Sequence, residues 1–270
     1  MKKTIFLVVM AALLLAQPAR AAVTLDGTDD IASCGSAAGI DNLTLRTYCV
    51  RFTLNSLNTS ELYSLMTKAN AGNGAAFYVE ENGGLGAVVG LYFQGTIASG
   101  WFVGSAYGLI TSGTTHSACM TIDIGSIANH ATLYLDGAAL SNDVQDQLPV
   151  GAYEDDSASN LEFGAHTGDG EYANITIQES FMTNTILTAA QISNWHNAKI
   201  RNWPKDVLGS AVLGYWRFDD QPTGDAGDGD TARDTSGNDN NCTLSDGANN
   251  TGMTWASEKT INLPPDGDLL

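Results

Sequence analysis

The stretch GYWRFDDQPTGDAGDGDTARDTSGNDNNCTL, residues 214–244, decides how this chain is interpreted. Its first residues form an aromatic run typical of a strand, and the rest is a long loop of Asp, Gly and Asn. Such a loop has almost no apolar side chains to bury, so turns or a bound cation must order it if it is ordered at all. The sequence therefore predicts a strand followed by an acidic, turn-rich loop.

Oxygen-bearing side chains in this loop alternate along the sequence. Asp234, Ser236, Asn238 and Asn240 are spaced two residues apart, and Asp219 lies upstream of them. A turning backbone can direct alternate side chains at one hard cation, so we predict a calcium site. The alternative is a series of Asx turns in which the same side chains bond to nearby backbone. The predicted ligands are Asp219, Asp234, Asn238 and Asn240.

The first 21 residues have the pattern of a secretory signal peptide. Lys2 and Lys3 precede an apolar run over residues 5–16, and the small-residue pattern Ala19-Arg20-Ala21 follows. The run is too short for a membrane span, so cleavage after Ala21 and export are expected, without membrane insertion. The predicted location is extracellular or periplasmic, in a bacterium.

The chain is strongly acidic. It has 30 acidic against 12 basic residues, a formal net charge of −18, and removal of the signal segment makes this −21. No Lys or Arg occurs between Lys68 and Lys199. Such a surface repels nucleic acid and favours divalent cations, which excludes nucleic acid as a partner.

Short runs rich in β-branched and aromatic residues recur between Gly, Asn, Asp and Ser clusters, as in an all-β sandwich. One helix is expected after Leu187, where Thr188 and Gln191 have the spacing of a capping box. Ile192 and Trp195 would pack against the sandwich. The predicted strands lie near residues 23–25, 43–54, 63–68, 75–80, 87–93, 117–123, 131–135, 161–163, 175–182 and 213–218.

Three further segments, taken together with residues 214–244, carry a resemblance to a known family. They are LDGTDDI at 25–31, YLDGAAL at 134–140 and LTAAQI at 187–192. Together they resemble the laminin G-like, concanavalin A-like sandwich family, which includes the pentraxins. The resemblance implies a two-sheet antiparallel β-sandwich, a jelly roll, with one short helix. It implies one domain over residues 22–263, completed by residues 210–263, and a loose tail over 264–270.

Four cysteines in an exported chain allow three disulfide pairings. Period-two alternation places Cys49 and Cys119 on the more polar phase of two predicted strands, so their thiols would be opposed if those strands are neighbours. The resemblance to pentraxins implies a Cys49–Cys119 bond, which leaves Cys34 and Cys242 as the other pair. The alternative is that one or both pairs stay as free thiols.

Candidate ligand-binding residues fall in two segments. Trp101 and Tyr107, in a Gly- and Ser-rich stretch, could present rings to a sugar, but a position of Trp101 at the end of the sandwich core is the favoured alternative. His166, Asp169 and Glu171 lie in a second acidic loop, in the region where pentraxins collect calcium ligands.

The sequence predicts a secreted, non-catalytic recognition or adhesion module for glycans or a cell-surface partner, with calcium as a possible cofactor. One alternative is a self-assembling structural or cell-surface subunit. A second is a sandwich glycoside hydrolase, which would use Glu171 or Glu179. We expect no enzyme activity, because no predicted strand carries two acids on one face, as a pair of catalytic carboxylates requires.

Overall fold

A computed structural model gives the fold of most of the chain. Among the described residues, no helix has both the length and the apolar composition that a membrane span needs. The predicted signal peptide lies almost entirely outside the described residues, as does the predicted tail over 264–270. The described residues are 21–57, 62–70, 73–81, 87–94, 101–104, 108–125, 129, 131–141, 145–147, 155–168, 170–198, 202–248 and 252–257.

The described chain is built from antiparallel strands and two short helices, which confirms the predicted all-β class. The strands are β1 Ala21–Asp26, β2 Ile31–Ser33, β3 Leu45–Leu54, β4 Leu62–Asn70, β5 Asn73–Glu81, β6 Ala87–Gln94, β7 Trp101–Gly104, β8 Thr115–Asp123, β9 Thr132–Leu135, β10 Ala138–Ala139, β11 Gln145–Gln147, β12 Glu162–Phe163, β13 Ala165–His166, β14 Glu171–Tyr172, β15 Asn174–Thr183, β16 Val212–Trp216, β17 Thr231–Ala232, β18 Cys242–Ser245 and β19 Thr254–Ser257. The helices are α1 Ala189–Asn197 and α2 Trp203–Leu208, and a 3-10 turn covers Gly209–Ala211.

These strands form two large sheets and one small hairpin. An eight-stranded sheet has the order β10-β9-β8-β3-β15-β1-β19, with β16 paired to the second half of β15. A nine-stranded sheet has the order β11-β7-β6-β5-β4-β12-β2-β18-β17, and β13 pairs with β14 alone. Every predicted strand segment overlaps a strand of one of the two large sheets, and the hairpin was not predicted.

The core lies between the sheets, where their apolar phases meet. Tyr48, Val50 and Phe52 of β3 belong to the same fully buried cluster as Phe77 and Val79 of β5, on the other sheet. Alternate residues of a strand point to one face, so this spacing follows directly from the sequence pattern. Burial of such side chains is the main stabilising contribution, about 1.5 to 3 kcal/mol for each.

Aromatic side chains at the start of residues 214–244 lie in this core. The rings of Phe163 and Trp216 are 5.0 Å apart in an edge-to-face arrangement, and Phe218 lies 5.4 Å from Phe163. A Cβ on Gly214 would overlap the Trp216 ring, so glycine is required there. The Trp216 indole N–H donates to the Asn240 carbonyl at 2.7 Å, which connects the core to the acidic loop.

Strands from both ends of the described chain are neighbours. Strand β1 pairs with β19, for example Val23 with Trp255, and β2 pairs with β18, for example Ala32 with Leu244. The pairs belong to different sheets, so the C-terminal segment completes both. The domain boundaries at 22 and 263 stay a prediction.

Helix α1 forms where the sequence predicts it. The Thr188 hydroxyl accepts the Gln191 backbone N–H at 3.2 Å, and the Gln191 side chain accepts the Thr188 backbone N–H at 2.9 Å. This capping box satisfies two amides that have no partner within the helix. Ile192 and Trp195 are buried on the outer face of the eight-stranded sheet, in a second apolar cluster. Helix α2 was not predicted. It begins at Trp203 and has Pro204 in its first turn, a position that proline tolerates.

Two disulfides connect the strands, as the sequence and the resemblance together predict. Cys49 of β3 lies directly opposite Cys119 of β8, and the two are bonded. Cys34, just after β2, is bonded to Cys242 of β18. The described cysteines therefore include no free thiol.

Candidate functional site

The predicted calcium loop is ordered by its own hydrogen bonds. Asp234 accepts the backbone N–H groups of Tyr215, Ser236 and Asn240 at 2.8–3.0 Å. The Ser236 hydroxyl adds a fourth bond at 2.8 Å. Both oxygens of this nearly buried carboxylate are thus used to fold the loop onto β16. This arrangement matches the Asx-turn alternative for Asp234.

The other three predicted ligands also have protein partners. The side-chain amides of Asn238 and Asn240 both donate to the Leu213 carbonyl, at 3.1 and 2.8 Å, so these residues converge with Asp234 beside β16. Asp219 instead accepts the Arg217 guanidinium at 2.6 Å. Calcium binding at this loop stays a prediction.

Two of the predicted ligand-binding residues lie together on the β13–β14 hairpin. His166 pairs with Glu171 across the hairpin, and their side chains approach to 3.8 Å. His166 is buried, whereas 29% of the Glu171 side chain is exposed. Of the others, Asp169 and Tyr107 lie outside the described residues, and Trp101 is described only as the first residue of β7.

The hairpin is fixed to the nine-stranded sheet by polar contacts. The Thr67 hydroxyl of β4 donates to the Ala165 carbonyl at 2.6 Å. The Glu162 carboxylate of β12 accepts both the backbone N–H and the hydroxyl of Thr167, at 2.8–3.1 Å. A partly exposed carboxylate on a fixed hairpin can accept hydrogen bonds from ligand hydroxyl groups.

A group of acidic side chains that the sequence did not single out lies at one end of the sandwich. Carboxylate oxygens of Asp26, Asp29 and Asp30 all lie within 4.8 Å of one another. Asp246, from the C-terminal segment, is within hydrogen-bonding reach of Asp30. This acidic cluster, defined as Asp26, Asp29, Asp30 and Asp246, is the only described place where three such oxygens gather.

The electrostatics of this acidic cluster are unfavourable for carboxylates alone. Burial, together with the negative charges of Asp26 and Asp246, raises the pKa of Asp30 to about 7, although the Asp26 backbone N–H lowers it. The side chain of Asp30 is fully buried and that of Asp246 is 4% exposed. Like charges that share a buried site need a proton or a cation between them.

Glu179, one of the two acids of the hydrolase alternative, is used inside the protein. It forms a 2.8 Å ion pair with Arg51, and both side chains are almost fully buried. It also accepts the Trp195 indole N–H at 3.2 Å and the Tyr215 hydroxyl at 3.0 Å. The guanidinium of Arg51 lies 5.0 Å from the Trp195 ring. This network joins β15, β3, α1 and β16.

A second group brings together residue types that catalyse reactions elsewhere. The Ser117 hydroxyl lies 2.7 Å from His196 Nδ1, whereas Asp136 contacts the other histidine, His116, at 2.8 Å. In a catalytic triad the acid orients the histidine that activates the serine, and the serine must reach the substrate. Here Asp136 is bonded to the wrong ring and Ser117 is buried. The arrangement is that of a structural network.

No protein-family model matches this sequence, and no curated protein sequence matches it either. Several solved structures are similar to the structure of this chain. A proposed carbohydrate binding protein from Bacteroides ovatus matches 92% of this chain with 13% identity and a TM-score of 0.59. This chain spans 62% of that protein's length.

The chain has a concanavalin A-like fold, a sandwich of two antiparallel sheets. Two further structures of lower similarity are a heptameric SAP-like pentraxin from Limulus polyphemus and the CBM40 of a Ruminococcus gnavus sialidase bound to α2,3-sialyllactose. The first is 13% identical over 66% of this chain and 82% of its own, with a TM-score of 0.49. The second is 14% identical over 65% of this chain and 96% of its own, with a TM-score of 0.47.

We expect a pH-dependent role for His196 in this concanavalin A-like sandwich. Burial, and then the charges of Arg51 and His116, lower the pKa of His196 against the opposing effect of Asp136. The unfolded chain therefore binds a proton at this residue before the folded protein does. The stabilising contribution of neutral His196 to the free energy of unfolding is present above about pH 6.5. It is lost as the pH falls below that value.

The test compares the wild type with His196→Gln, which does not titrate. Urea denaturation gives the free energy of unfolding of each protein. As the pH falls from 7.5 to 5.5, the wild type should lose more of this free energy than the variant does. A difference that does not change with pH would contradict the prediction.

Proposed function

We propose that this protein is a secreted, non-catalytic recognition module that binds glycans at the β13–β14 hairpin of its nine-stranded sheet. The observation that carries the proposal is the fold match over 92% of the chain to a protein proposed to bind carbohydrate. Because a fold hosts many functions, the binding site must be argued from its residues.

The residues of the β13–β14 hairpin support placing the glycan-binding site there. Glu171 is partly exposed, its neighbour Tyr172 is also partly exposed, and the backbone that carries them is held by Thr67 and Glu162. Sugar recognition commonly combines carboxylate or amide groups, which bond to hydroxyls, with an aromatic ring that covers an apolar sugar face. Asp169, Trp101 and Tyr107 stay proposed ligand-binding residues from the sequence.

The use of acidic residues within the protein supports binding without catalysis. A glycoside hydrolase needs two carboxyl groups about 5 to 9.5 Å apart on either side of the scissile bond. Glu179 is held by Arg51, and Glu162 accepts bonds from Thr167. Glu171 is the only acid among the described residues of the hairpin, and it is suited to a hydrogen bond with a ligand hydroxyl group.

Export and calcium dependence complete the proposal. Two disulfides suit an oxidising compartment. Calcium held by Asp219, Asp234, Asn238 and Asn240 would order the acidic loop beside β16 further, and we propose that glycan binding depends on it.

A glycan array with the full chain, run in calcium and in chelator, tests the proposal. We expect binding to a defined group of glycans, and Glu171→Gln to weaken binding to the best of them about tenfold, because each ligand hydrogen bond to a charged group contributes about 1.5 kcal/mol. The matched control is Asp206→Asn, an exposed acid on helix α2.

Binding that survives Glu171→Gln unchanged would move the site away from the hairpin. An array without any bound glycan, together with a large calcium-dependent assembly in size-exclusion chromatography with light scattering, would replace the proposal with the structural-subunit alternative.

A further inference from the structure

Two segments that cross between the sheets meet at one end of the sandwich. Residues 27–30 lead from β1 in the eight-stranded sheet to β2 in the nine-stranded sheet. Residues 246–253, described except for 249–251, lead from β18 back to β19. Both crossovers carry carboxylates of the acidic cluster, which comprises Asp26, Asp29, Asp30 and Asp246.

Backbone donors already bond to part of this acidic cluster. Asp26 Oδ1 accepts the Thr28 N–H at 2.7 Å, and Asp30 Oδ2 accepts the Asp26 N–H at 2.7 Å. Asp29 Oδ2 accepts the Ala248 N–H at 2.9 Å, across the two crossovers. These bonds hold the carboxylates in place without neutralising them.

Two oxygens in the acidic cluster have no donor. Asp30 Oδ1 and Asp246 Oδ1 are both buried from solvent without a hydrogen-bond partner. A buried, unpartnered carboxylate oxygen is costly, and two carboxylates that face each other are more costly still. A bound cation would satisfy both of these carboxylate oxygens.

We propose that the acidic cluster binds a calcium ion, with Asp26, Asp29, Asp30 and Asp246 as its protein ligands. The site is separate from the predicted loop site at Asp219 and Asp234, and from the proposed glycan surface.

The chemistry of the donors selects the ion. All four side chains offer oxygen, without the histidine or cysteine that zinc and copper prefer, so a hard cation is favoured. Calcium accepts six to eight oxygen ligands in flexible geometry, whereas magnesium demands a regular octahedron and keeps several waters. Four carboxylates on two independent segments suit calcium better.

Two glycines shape the second crossover around the acidic cluster. Gly247 and Gly252 have positive φ angles of 52° and 129°, and a Cβ at either would overlap Asp29 or Asp26 respectively. The C-terminal backbone can therefore approach the first turn closely only because these residues lack side chains. Bound calcium would clamp the two crossovers together.

Calcium titration of the chelator-treated full chain tests this, by isothermal calorimetry and by thermal unfolding. The probe is calcium chloride alone. At a concentration about a hundredfold above Kd, we expect the melting temperature to rise by about 5 to 10 °C, because calcium binds the folded state. Magnesium should give a smaller rise.

Asp246→Asn is the informative variant, because it removes one charge and keeps the size of the side chain. We expect at least a tenfold weaker calcium affinity and a smaller rise in melting temperature. Its melting temperature in chelator should equal or exceed that of wild type, since one repulsion is removed; a purely structural role for Asp246 would lower it. Asp206→Asn is the charge-matched control and should bind calcium like wild type.

The proposal is overturned if the folded wild type gives no calcium heat and melts at the same temperature in calcium and chelator. That result would assign the acidic cluster a shared proton. It is also overturned if Asp246→Asn binds calcium like wild type. Neither result depends on glycan binding, so failure of the glycan proposal would leave this test unaffected.

Discussion

Replacing Glu179 with alanine is expected to destabilise the folded protein by about 3 to 5 kcal/mol, the usual result of breaking a buried ion pair on one side. The loss would leave the buried Arg51 guanidinium without its counter-charge. It would also remove the acceptor of the Trp195 indole N–H and of the Tyr215 hydroxyl. Urea denaturation of wild type and variant gives the difference in free energy of unfolding.

Two variants serve as controls for this effect. Glu171→Ala removes a partly exposed acid and should cost at most about 1 kcal/mol. The double variant Arg51→Met with Glu179→Leu replaces the ion pair with apolar side chains and should lose less than Glu179→Ala alone. If Glu179→Ala stays within 1 kcal/mol of wild type, the buried network does not form.

Removing either disulfide is expected to produce a comparable loss. The pair Cys49→Ser with Cys119→Ser should cost about 2 to 5 kcal/mol, because a cross-link restricts the unfolded chain. The Cys34–Cys242 bond spans 208 residues, against 70 for Cys49–Cys119. The chain-entropy relation then predicts that its removal costs about 1 kcal/mol more. Urea denaturation of the two double variants measures both values.

Each double variant removes both thiols, so no unpaired cysteine complicates the comparison. Thermal unfolding of the wild type with and without reductant provides an independent check. An unchanged melting temperature after complete reduction would contradict the prediction for both bonds. A larger loss at Cys49–Cys119 than at Cys34–Cys242 would contradict the chain-entropy explanation.

Local chemistry explains which parts of the fold could be predicted. The capping box at Thr188 depends on residues three apart, and the alternation around Cys49 depends on residues two apart, so both are visible in the sequence. The second helix was missed because its six residues are too few for a periodic pattern. Very short strands such as β13 and β14 are defined by pairing rather than by composition.

The acidic cluster was less predictable than the fold, because its contacts join distant parts of the chain. LDGTDDI was recognised as a motif, yet its aspartates gain a common role only when Asp246, 216 positions after Asp30, returns beside them. The only local signals were the closely spaced acids of that motif and the Ser-Asp-Gly sequence at 245–247. Likewise, the buried position of Glu179 depends on α1 lying over the sheet face, where strand alternation alone would leave it exposed.

The pairing of β1 with β19 and of β2 with β18 has a consequence for biosynthesis. A ribosome makes these partners more than 200 residues apart, so neither sheet is complete while the nascent chain is short. Sandwiches dominated by such distant contacts fold slowly, and their unpaired edges are exposed to aggregation in the meantime. Folding of this polypeptide therefore finishes only after its last strands have been synthesised.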